Sequence, residues 1–181
     1  MTSAVGSVMF AFATGVVTIQ VDQARAFAGE LDRNYPDYLP GKLMQTQLTL
    51  LGADANGARS TITLANDLLA RVSKTAPDRE NSPQVLAEIH ERTLVARGTA
   101  QMQLKNYAAP RQDFEQARQI APKDPIVYNS LALLALEENK QEEALAAFDQ
   151  ALQVDPTNFA ALNGFLTLHA RAKRIDLAQS K

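Results

Sequence analysis

The sequence has no cysteine, no tryptophan and only two histidines. Without cysteine there is no thiolate nucleophile, no disulfide and no cysteine-based zinc site, and His90 and His169 lie too far apart in the chain to suggest a multi-histidine metal centre. Glycine and proline are sparse, eight of each in 181 residues, and aromatics make up 6%. Strands would be starved of the aromatic and β-branched residues they favour, whereas alanine, leucine and glutamine are abundant and suit helices. Charge of one sign is also missing. The 18 basic and 20 acidic residues leave a net charge of -2, so no domain-wide positive field exists to collect the phosphates of a nucleic acid.

Long apolar runs are absent as well. The first charged residue is Asp22, but the apolar stretch from Ala4 to Val17 is about 14 residues, short of the roughly 20 that a spanning helix requires. No basic region precedes it, so it reads as a buried first helix rather than a signal or an anchor, with the cytoplasm as the default compartment. There is no Gly-rich phosphate loop, no G-x-S-x-G, no H-E-x-x-H and no EF-hand loop. The expectation is a protein that is not an enzyme and carries no cofactor or metal.

What is present is a repeat. Phe114 and Phe148 stand 34 residues apart, and the same offset relates Ala117 to Ala151, Pro122 to Pro156, Leu94 to Tyr128, Asn129 to Asn163 and Ala144 to Ala178. It also joins Ala24 to Ala58 and Leu31 to Ala65, out of phase with the later set by an insertion of about 18 residues, for which the polar stretch Ser73 to Ser82 is the natural place. The clearest period runs from Pro125 to Asn158. Tyr128, Leu131, Ala132 and Ala135 share one helical face, Ala144, Leu145, Phe148, Ala151 and Leu152 share another, and Glu138-Asn139-Lys140 between them reads as a polar turn. Asp155-Pro156 closes the second helix. The result is a helical hairpin whose alanines allow close approach.

This segment resembles the tetratricopeptide repeat, whose pattern of aromatic, leucine and small residues is filled by Tyr128, Leu131, Ala132, Ala144, Phe148, Ala151 and Pro156. The resemblance implies an all-α fold, a right-handed solenoid of antiparallel helical hairpins. Units are expected over 5–38, 39–73, 91–124 and 125–158, with a truncated unit over 159–181 and a connector over 73–82. Helices are expected at about 4–17, 22–34, 39–51, 56–73, 83–104, 108–120, 125–137, 141–153 and 159–171, with a further stub from 175. Two residues of the 91–124 unit depart from the pattern: Arg97 replaces a leucine, and Pro110 replaces an alanine. The proline is tolerable only in the first turn of its helix. The last unit lacks most of its second helix, so the sequence reads as a piece of a longer repeat protein, or as one that self-associates through its last hairpin. The alanine- and glutamine-rich helices point to a bacterial source.

In this family the first helices line a concave groove. Carried over residue by residue, the groove positions are Leu43, Gln47 and Leu50, then Val95, Thr99 and Met102, then Asn129, Leu133 and Leu136, then Asn163, Thr167 and Ala170. The peptide-binding residues expected from the resemblance are Val95, Thr99, Met102, Asn129, Leu133, Leu136, Asn163 and Thr167. Asn129 and Asn163, one repeat apart, would hold an extended backbone without reading its sequence. The cationic clamp that some relatives use for acidic tails is absent, with Arg92 as the lone cation at those positions. His90, beside Glu88 and Glu91, reads as a surface histidine, and His169 as packed or half-exposed. The glutamates at 137–138 and 142–143 read as solvation and helix capping. The function implied is a scaffold binding a protein or peptide segment in the groove, with no nucleic acid and no membrane. The alternatives are a structural or regulatory segment of a larger enzyme or of an envelope or export assembly, and self-association.

Overall fold

A computed structural model of the protein describes the backbone of residues 16–52 and 54–179, and the side chains of residues 21–52 and 54–170. Among the described residues the chain is all helical: α1 Val16–Asn34, α2 Leu39–Leu50, α3 Ala55–Val72, α4 Pro83–Gln103, α5 Pro110–Ile120, α6 Pro125–Glu137, α7 Gln141–Val154 and α8 Phe159–Gln179. Each helix packs on the next along the chain, which builds a stack of hairpins. The helix expected at 4–17 lies outside the described residues for nearly all its length.

Starts and stops follow from local chemistry. Asp54, Ser82 and Asp124 cap α3, α4 and α6, each side chain accepting a backbone N–H of the first turn. Pro83, Pro110 and Pro125 open their helices, where the missing N–H leaves nothing unsatisfied. Pro110 therefore breaks nothing, and α5 begins at the proline rather than at 108. The turns after α4 and α6 are copies of each other. Lys105 and Asn139 are the two non-glycine residues with positive φ among those described, 58° and 61°, and they lie one repeat apart. In each turn the next N–H returns five residues, Asn106 to Gln101 O at 3.0 Å and Lys140 to Ala135 O at 2.8 Å, the bond pattern of a left-handed helix C-cap.

Two helices run on where the sequence predicted breaks. Val16–Asn34 is continuous through residues 18–21, and Phe159–Gln179 is continuous through 172–174, because neither stretch contains a glycine, a proline or a capping pair that would turn the chain. The last unit thus has one long helix in place of a first helix and a stub.

The core falls into two clusters. Leu94, Phe114, Val127, Leu131, Leu134, Phe148, Leu168 and the alanines around them form the larger, from α4 to α8. Leu39, Leu43, Leu68, Val72, Leu86 and Ile89 form the smaller, between α2, α3 and the first half of α4. Ala144 and Ala151 are wholly buried, and it is their small side chains that let α7 lie close on α6. Arg97, which broke the repeat pattern, makes a paired bond to the buried carboxylate of Asp113, Nε to Oδ2 at 2.9 Å and Nη2 to Oδ1 at 2.6 Å, and reaches Asn66 Oδ1 at 2.7 Å with Nη1. One guanidinium so ties α3, α4 and α5 where the pattern would place a leucine.

Candidate protein-binding face

Three of the first helices, α2, α4 and α6, meet in succession, and among the described residues the second helices do not. Besides touching its own partner, α2 meets α4 and α4 meets α6, whereas among the described residues no comparable contact joins α3 to α5 or α5 to α7. The stack therefore curves toward α2, α4 and α6, and the side chains these helices present away from their partners line the inner face. Leu133 is 52% exposed there, and Val95, Thr99, Met102 and Leu136 on α4 and α6 are half-buried. At one end of the face Thr99, Met102, Gln103, Lys105, Tyr107 and Glu137 line an open cleft, its edge closed by a 2.9 Å hydrogen bond from the Tyr107 hydroxyl to Glu137 Oε2.

The amides divide. Asn163 is exposed on α8, as is Thr167, whose hydroxyl donates back to Asn163 O at 2.7 Å and leaves its lone pairs as acceptors. Asn129 is engaged internally. Its Nδ2 donates to Asn158 Oδ1 at 3.0 Å, the same oxygen that accepts the Ala161 N–H at 2.9 Å and caps α8. Its Oδ1 is buried without a partner. Asn129 thus bridges α6 to the start of α8. Nothing in the sequence marks the partnership of Asn129 and Asn158 across 29 residues. Gln47 is exposed and Leu50 half-buried, while Leu43 does not reach the groove. It sits in the smaller core, since α4 begins eight residues ahead of its repeat unit and lays Leu86 and Ile89 beside it.

The titratable groups are few. Glu91 is 2% exposed, its Oε1 has no partner, and burial, reinforced by the Asp124 and Glu88 carboxylates and opposed by Arg92, pushes its pKa up to about 7. In the sequence it stands out only as a neighbour of His90. His90 is half-buried, not a surface residue, and burial together with Arg97 lowers its pKa. His169 is exposed, with its ring edge-on to Phe165 at 4.4 Å, since among the described residues no helix covers that side of α8. Glu142 and Glu143 are exposed in the first turn of α7, but Glu138 is half-buried, and Lys140 and Arg111 hold its carboxyl below the usual range. A second cleft near the start of α3 includes Arg25, Gln45, Asp54 and Asn56, but there Asp54 is occupied in capping and Arg25 faces Leu48 O and Asp22. Among the described residues no cluster of metal-ligating side chains occurs and no helix is long and apolar enough to cross a membrane.

Comparison with known proteins places the repeat. Residues 125–158 match the profile of the tetratricopeptide repeat. Among solved structures, the chain is similar to the Hsp90 co-chaperone Cns1 from Saccharomyces cerevisiae, with 20% identity and a TM-score of 0.56 over 94% of this chain and 44% of that one. A weaker likeness, 13% identity with a TM-score of 0.41 over 84% of this chain and 40% of the other, is to the APC/C hetero-tetramer Cut9-Hcn1. The chain spans less than half the length of either structure.

Proposed function

Because residues 125–158 are a tetratricopeptide repeat within an all-helical solenoid, we propose that the protein is a non-catalytic scaffold whose inner face binds an extended segment of another protein. The observation that carries the reading is Leu133, a large apolar side chain left 52% exposed on α6, with Val95, Thr99, Met102 and Leu136 on α4 and α6 half-buried. An apolar segment laid there would cover Leu133 and Met102, while Asn163 and Thr167 offer polar contacts to its backbone and Asn129 holds α8 in place. Co-chaperone function in the similar yeast protein fits a role of this kind. The test is selection of binders from a random displayed peptide library, followed by competition with variants. Leu133→Asp buries a charge against the bound segment and is expected to weaken binding at least about tenfold, while Glu142→Lys and Asp149→Lys on the outer face leave it unchanged. Peptides that ignore Leu133→Asp and are lost with the outer changes would refute the reading.

A further inference from the structure

The cleft at the edge of the inner face holds a charge that the chain does not use. Around the turn from α6 to α7, Arg111 and Lys140 take Glu138 and Glu143 into ion pairs. Glu137 is left out. Among the described residues no cation pairs with it, and its one hydrogen bond comes from the Tyr107 hydroxyl to Oε2 at 2.9 Å. A carboxylate offers about four acceptor positions, so most of its capacity stays open.

That hydroxyl also aims the carboxylate. The Tyr107 ring is half-buried and packed on the larger core, so Glu137 is held at the cleft both residues line. The cleft holds about 370 Å³, the low end of the range for a ligand pocket and room for one long side chain of a bound segment. Met102, half-buried beneath it, offers apolar surface to the methylenes of such a side chain. Arginine fits this site better than lysine: its planar fork bonds a carboxylate through two parallel N–H groups, sheds water more readily and stacks on a ring such as that of Tyr107. Lys105 lines the same cleft, but among the described residues its ammonium has neither an ion pair nor a hydrogen bond to fix it. A lysine must give up side-chain freedom to grip a partner, whereas Glu137 is already held by Tyr107.

Spacing ties the cleft to the rest of the face. Leu133 and Glu137 are four residues apart on α6, so their side chains stand on one side of the helix about 6 Å apart. In an extended segment, side chains two residues apart point the same way at about 7 Å. We propose that the cleft is an arginine subsite: the bound segment lies along α6 with an apolar residue on Leu133 and, two positions away, an arginine whose guanidinium pairs with Glu137. The subsite depends on the inner-face reading above and adds to it the chemistry of the partner.

The probes are peptides selected from a random displayed library on the full chain. Those that lose affinity on Leu133→Asp are expected to carry an arginine two positions from an apolar residue. Replacing that arginine by alanine should weaken binding at least about tenfold to the parent but less than about twofold to Glu137→Gln, as read by fluorescence anisotropy. Glu137→Gln keeps an oxygen for the Tyr107 hydroxyl at an exposed position, so its circular dichroism is expected to match the parent. Lys105→Ala should raise the affinity by up to about fivefold, since a like charge leaves the cleft. Leu133-dependent peptides without an arginine, or with one whose loss costs the same in the parent and in Glu137→Gln, overturn the subsite and leave the inner-face reading standing. Affinity that falls with Lys105→Ala and not with Glu137→Gln also overturns it, and means that the cleft takes an acidic side chain. If no selected peptide responds to Leu133→Asp, the subsite and the inner-face reading fail together.

Discussion

Adding one methyl group to a helical glycine should have opposite effects at two places in this protein. A Cβ built on Gly98 would stand 2.5 Å from Cε1 and 2.9 Å from Cζ of Phe114. That ring is wholly buried, pressed between α4 and α5, so it has no room to withdraw. Alanine in place of glycine raises helix propensity by about 1 kcal/mol, but forcing an extra carbon into a filled core costs about 1–3 kcal/mol, and at this separation the upper end applies. The net expectation for Gly98→Ala is a loss of about 1–2 kcal/mol, or roughly 2–8 °C in Tm for a chain of this size. At Gly29, on α1, the nearest atom to the added carbon is Arg33 Nη1 at 3.9 Å, so only the propensity gain remains and Gly29→Ala should stabilise by up to about 1 kcal/mol. Urea unfolding followed by circular dichroism measures both. If Gly98→Ala is as stable as the parent, α5 does not lie against α4 as described, and the packing of the 91–124 unit is wrong.

Glu91 makes stability depend on pH. Its folded pKa of about 7 lies above the ordinary 4.5, so the folded state keeps a proton that the unfolded chain gives up. The stability this confers is fully present below pH 4.5 and lost as pH rises to 7, by up to roughly 3 kcal/mol. Glu91→Gln should abolish that loss and leave the variant more stable than the parent at pH 8 and equal to it at pH 4, as urea midpoints at the two values would show. An equal pH slope in both proteins would rule out Glu91 as its source. In the turn after α4, Lys105→Gly should stabilise by about 1 kcal/mol, because lysine pays a steric penalty at a φ of 58° that glycine does not. A thermal melt showing a lower Tm for that variant would contradict the left-handed cap.

The repeat was legible because its signals are local and redundant. Tyr128, Ala132, Ala144, Phe148 and Pro156 each report the same register, and the helices α6 and α7 lie where they predict. Pro110 was readable in the same way, since a proline in helical sequence has one inexpensive place. The continuity of α8 was harder, because the pattern supplied an expected turn while the residues at 172–174 supplied no reason for one. Arg97 and Asp113 are 16 residues apart, and nothing in composition or spacing marks them as a buried pair. The candidate groove was legible as a set of positions but not as a surface. Exposure depends on what packs alongside, which is why Leu43 sinks into the core under α4, Leu133 stays open, and the Asn129 amide is taken by Asn158.

The inner face is tested most directly by methyl NMR of the full chain titrated with a selected peptide. Methyl groups report both surfaces at once: Leu133, Leu136 and Met102 on the inner face, and the exposed Ala146 on the second helix α7. The expectation is that the peptide shifts Leu133, Leu136 and Met102 in a saturable way with a single dissociation constant, and leaves Ala146 in place. Saturable shifts at Ala146 with Leu133 unmoved would contradict the account and assign binding to the outer surface.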